Sequence, residues 1–67
     1  MISKQIKDLR KQHNYTQEEL AEKLNTSRQT ISKWEQGISE PDLIMLMQLS
    51  QLFSVSTDYL ITGSDLS

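Results

Sequence analysis

The stretch "QEELAEKLNTSRQTISKWEQG", Gln17 to Gly37, decides the fold, because it reads as two short helices with almost nothing between them. Thr16 precedes it as an N-cap, and Glu19 three places later completes a capping box. Leu20, Ala21 and Leu24 then recur at helical spacing and face inward. Asn25 stands where a left-handed C-cap residue is wanted, a geometry Asn tolerates better than other non-glycine residues. Thr26 or Ser27 can cap the next helix at once, and Gly37 stops it after Gln36. Only Ile31 and Trp34 in that helix face the core. Helices joined across so few residues must cross steeply, and a small residue such as Ala21 allows close approach. The second helix is therefore presented outward by the first, carrying Arg28, Gln29, Ser32, Lys33 and Gln36 on its open side.

Outside this corner the apolar spacing is also helical, with no sustained strand-like alternation and no internal repeat. A first helix over about Ser3 to His13 places Ile2, Ile6 and Leu9 on one side, and Asn14 and Tyr15 break it. "ISEPD" is the one Pro-containing connection; it leads into a fourth helix, about Asp42 to Phe53, with Leu43, Leu46, Leu49 and Phe53 as its inner face. Val55 closes a short turn, Ser56 caps a last helix over about Thr57 to Thr62, and Tyr59 or Leu60 is buried before Gly63. The expectation is an all-α, compact five-helix bundle over residues 1–63, with a disordered tail over residues 64–67.

At 67 residues and 7.8 kDa the chain is one small domain, too short for an enzyme of ordinary size. It has no cysteine, which removes disulfides and thiolate chemistry and fits a reducing, cytoplasmic setting. The longest aliphatic run, Leu43 to Met47, is far below the roughly 20 residues of a membrane span. His13 is the single histidine, and the acids Glu18, Glu19 and Glu22 lack a metal partner. With no phosphate loop, triad or supported acid pair, neither catalysis nor a cofactor or metal is expected.

Net charge is −2, which alone argues against a polyanionic partner, but the charge is split. All seven Lys and Arg precede Gly37, against five acids, for +2; the last thirty residues hold four acids and no base, for −4. A phosphate backbone feels the local field rather than the sum. Two cations, two amides and a hydroxyl without an acid are groups that match base edges in the major groove. Arg or Lys donates to guanine, and Gln pairs with adenine. A solvated polar face is the bland alternative for any amphipathic helix. The propped corner, with Gln17 opening the supporting helix, favours a DNA partner, since the N-terminus of that helix suits a phosphate.

Taken together, "TQEELAEKLNTSRQTISKWEQG" and "PDLIMLMQLSQLFSVSTDYL" resemble the lambda-repressor-like helix-turn-helix domains of phage repressors and bacterial xenobiotic-response-element regulators, over about Ile2 to Gly63. The resemblance implies that helix three enters the major groove and that a dimer reads a two-fold operator. Carried over by position, it makes Arg28, Gln29 and Lys33 base readers with Ser32 beside them. It places Thr16, Gln17, Ser27 and Gln36 on the DNA backbone. It further pairs Arg10 of the first helix with Glu35, the free guanidinium edge still facing a phosphate.

Departures from the family pattern are Asn25 and Ser54 where Gly is usual, and the acidic "ISEPD" loop, which predicts few backbone contacts and a modest salt slope per subunit. Ile44, Met45, Met47 and Leu52 exceed what one face of helix four can bury and suggest a homodimer surface, together with the C-terminal helix. The expectation is a sequence-specific DNA-binding repressor that acts by occlusion. The rival is a protein-interaction module that uses helix four and the acidic C-terminal part to bind a toxin or a polymerase subunit.

Overall fold

Every helix after the first starts on a side chain that accepts a hydrogen bond from its own first turn. Thr16 caps through Glu19 N at 3.0 Å, Ser27 through Thr30 N at 3.2 Å, Asp42 through Met45 N at 2.9 Å and Ser56 through Tyr59 N at 3.0 Å. In the computed structural model, which describes residues 2–64, these caps open α2 (Gln17–Lys23), α3 (Arg28–Gln36), α4 (Leu43–Phe53) and α5 (Thr57–Thr62), after α1 (Ile2–Gln12). The tail expected over residues 64–67 lies, beyond Ser64, outside the described residues.

Each of the five ends on a residue in the left-handed conformation: Asn14, Asn25, Gly37, Ser54 and Gly63, with φ between 55° and 76°. At the α2 end, Thr26 N donates to Ala21 O at 2.9 Å and Asn25 N to Glu22 O at 3.2 Å, the paired bonds of a Schellman motif. Asn14 closes α1 the same way, with Tyr15 N on Arg10 O at 3.0 Å. Gly63 has a second reason to be glycine, since a Cβ there would lie 3.2 Å from the Gln5 carboxamide.

The core joins all five helices through Ile6, Leu9, Leu20, Ala21, Leu24, Ile31, Trp34, Leu49, Phe53 and Leu60. α3 packs against α1 and α2, and α5 against α1 and α4, so α1 is the helix that both share. The buried Gln5 side chain reaches Leu60 O at 3.5 Å and ties α1 to α5.

Helix four departs from expectation. Leu43, expected in the core, is 70% exposed, and Leu46 and Val55 are only partly buried against the core. Met45 and Leu52, expected on a dimer surface, pack against the core instead. The cause is angular. Leu49 and Phe53 set the inward direction, and at roughly 100° per residue Leu43 stands about 120° from Leu49, whereas Met45 and Leu52 stand only about 40° and 60° from it. Ile44 and Met47 remain exposed as expected, at 65% and 49%.

Candidate nucleic-acid interface

The nine residues of α3, "RQTISKWEQ", divide sharply by side. Ile31 and Trp34 are buried in the core, which fixes the rotation of the helix and turns Arg28, Gln29, Lys33 and Gln36 outward. Arg28, Gln29, Ser32, Lys33, Gln36 and Ile38 line one shallow depression along this face. Gln36 Nε2 donates to Ser32 Oγ at 2.7 Å, so these two side chains are organised as a pair, whereas the ends of Arg28, Gln29 and Lys33 have no hydrogen-bond partner among the described residues.

The single acid of α3 is withdrawn from that surface. Glu35 has a side chain only 4% exposed and accepts Arg10 Nε at 2.6 Å, Arg10 Nη2 at 3.2 Å and Gln17 Nε2 at 3.1 Å. Arg10 Nη1 also donates to Tyr15 O at 2.8 Å. One carboxylate thus links α1, the α1–α2 connection, the start of α2 and the end of α3 through charge-assisted hydrogen bonds. The outward face keeps both its cations, Arg28 and Lys33, with no exposed acid on the same helix.

This brace holds Arg10 in the pairing with Glu35 that was expected of it. Every guanidinium nitrogen donates within the fold and the side chain is 12% exposed; on the edge expected to face a phosphate, Nη1 gives one of its two N–H groups to Tyr15 O. Gln17 is half-buried, its amide oriented by Glu35. Thr16 and Ser27 use their oxygens as acceptors for the caps, and Thr16 N is closed by Glu19 Oε1 at 2.8 Å. A capping hydroxyl keeps its own O–H, a donor that suits a phosphate oxygen. Ser27 also shares a hydrogen bond of 2.9 Å with the Thr30 hydroxyl.

Elsewhere two acids, Asp42 and Asp8, have structural uses. Asp42 of the acidic loop is the α4 cap. On α1, Lys4 donates to Asp8 at 2.7 Å; this hydrogen bond holds the Asp8 carboxyl below and the Lys4 ammonium above their ordinary values, on exposed side chains. His13 is exposed and lies edge-tilted on Phe53 at 4.9 Å between ring centroids. Ile38 was missed as a member of the face because it follows the helix stop at Gly37, and Gln5 because nothing in its spacing marks a buried amide.

Comparison with known proteins agrees with this geometry. The helix-turn-helix family model matches residues 6–60. The chain is 41% identical over 66 residues to the HTH-type transcriptional regulator ImmR of Bacillus subtilis, covering 98% of this chain and 52% of that protein. It is 44% identical over 65 residues to the HTH-type transcriptional activator BcrR of Enterococcus faecalis, covering 97% of this chain and 32% of that protein. It therefore spans between a third and about half the length of these relatives. In structure it is similar to the P22 c2 repressor, solved in complex with a synthetic operator: TM-score 0.90, 31% identity, covering 96% of this chain and 97% of that one.

Proposed function

Because this chain belongs to the helix-turn-helix family and has the lambda-repressor-like five-helix fold, we propose that it is a sequence-specific reader of double-stranded DNA that regulates transcription as a homodimer in the cytoplasm. The observation that carries this reading is the division of α3: its acid is buried and neutralised by Arg10 while Arg28, Gln29 and Lys33 stand open along one stripe, with Ser32 beside them. Arg28 and Lys33 suit guanine O6 and N7, and Gln29 suits adenine N6 and N7. The hydroxyls of Thr16 and Ser27, with Gln17 and Gln36, supply phosphate contacts that set register. Occupancy of a promoter by such a dimer suffices for repression.

Leu43, Ile44 and Met47 share the outward side of α4, and Ile61 of α5 is half exposed. In the proposed dimer a second copy covers these residues, and the two α3 helices read half-sites one helical turn, about 34 Å, apart. The same exposed surface is what the rival protein-interaction reading would use, and the two part on DNA. Arg28→Ala and Gln29→Ala should each relax base preference at one position per half-site by about 1 to 3 kcal/mol, while Thr16→Ala weakens all sequences alike. Competition binding against single-base operator variants measures this, and unchanged discrimination in both reader variants rejects the assignment.

A further inference from the structure

Ile38 is 66% exposed, yet it stands at the end of a stripe that is otherwise polar, in the same depression as Arg28, Gln29, Ser32, Lys33 and Gln36. Its place is fixed by backbone, not by side-chain packing. Gly37 takes a left-handed φ of 76° and Ile38 N donates to Lys33 O at 2.9 Å, closing α3 and turning the next side chain back beside the helix. The nine residues of α3 from Arg28 to Gln36 cover roughly 13 Å of helix length, close to the width of about 12 Å of a B-DNA major groove, and Ile38 follows directly after that end. A helix seated with Arg28 among the bases and tilted across the groove brings its far end to the groove wall. The side chain there has no donor or acceptor, so it cannot read the hydrogen-bonding code. The one apolar group in that groove is the thymine C5-methyl, which projects at the edge of the base pair beside the backbone of its own strand.

We infer that Ile38 is a specificity-determining residue that packs on a thymine methyl at the edge of each half-site, an inference that rests on the duplex-DNA reading above. It adds an apolar contact to a face that otherwise selects by hydrogen bonds, and it makes the preferred base at that position thymine rather than cytosine.

Replacing thymine by uracil removes that methyl and leaves every hydrogen-bonding group, so the test is a uracil scan across a site selected from random duplex DNA. The probes are the full chain and its Ile38→Ala and Ile38→Val variants. At one thymine per half-site the unsubstituted chain should bind uracil roughly fourfold more weakly, the scale of burying a single methyl group. Ile38→Ala should lose most of that difference, and Ile38→Val should keep most of it. Ile38→Ala retains the backbone hydrogen bond to Lys33, and its urea midpoint should match that of the parent chain. Equal uracil penalties in the parent and Ile38→Ala at every thymine overturn the inference and leave the DNA reading intact. So does a variant whose one effect is a shifted monomer–dimer equilibrium without DNA, which would give Ile38 to a second copy of the chain. Failure to select any preferred site overturns the DNA reading itself, and this inference with it.

Discussion

Helices α3 and α4 place equal demands on the core and leave opposite surfaces behind. Each buries two residues, Ile31 and Trp34 in one, Leu49 and Phe53 in the other. Outside, α3 shows cations, amides and a hydroxyl, whereas α4 shows Leu43, Ile44 and Met47. A core of this size asks only for a narrow apolar stripe from each helix. What lies beyond the stripe is free to be set by a partner. The polar face suits a surface of phosphates and base edges, and the apolar one suits another apolar surface. The two also differ in support. α3 is braced by Arg10, Glu35 and Gln17 across three helices, while α4 ends at Ser54 in a strained left-handed turn, held by Val55 N on Ser50 O at 3.1 Å.

The largest expected effect tests the brace. Glu35→Ala leaves the covered Arg10 guanidinium without its carboxylate and should cost about 3 to 5 kcal/mol by urea denaturation. The double replacement Arg10→Met with Glu35→Leu should recover most of this, because no charge is left unpaired. A single variant as stable as the parent would reduce the brace to a surface ion pair. The second effect sharpens the contrast within α4. Leu49→Ala should cost about 2 to 5 kcal/mol, as a buried leucine does, whereas Leu43→Ala on the same helix should stay within about 0.5 kcal/mol in unfolding and act instead on self-association. Sedimentation at several concentrations, alongside denaturation, reads both; equal unfolding costs at the two leucines would erase the angular argument for α4.

The smallest effect concerns the turn. Ser54→Gly should stabilise the chain by about 0.5 to 1 kcal/mol, since glycine adopts φ 55° without a Cβ penalty but carries more unfolded-state entropy. Asn25→Gly, measured the same way, should gain less, because asparagine already tolerates the left-handed region. A loss of stability at position 54 would mean that the serine side chain has a favourable contact that outweighs its backbone strain.

The helix limits were legible because they rest on local chemistry. Thr16, Ser27, Asp42 and Ser56 cap through their own side chains, and Asn25, Gly37 and Gly63 stop helices through their own φ. The rotation of α3 was equally legible, since two apolar residues among nine leave no choice of inner side. The rotation of α4 was not. Eight of its eleven residues are apolar, so spacing alone admits several inner faces, and only packing against the other helices selects Leu49 and Phe53 and turns Leu43 away. The Arg10 to Tyr15 O bond was hidden for a different reason: it depends on the path of the connection between α1 and α2, which carries no periodic signal.

The measurement that bears most directly on the whole account is selection of the chain against random duplex DNA at fixed salt. The open, acid-free stripe of α3 predicts an enriched two-fold consensus with half-sites about one helical turn apart, its strongest positions weakened by Arg28→Ala. Recovery of no consensus, with binding that follows salt alone, would mean that this face is merely a solvated surface.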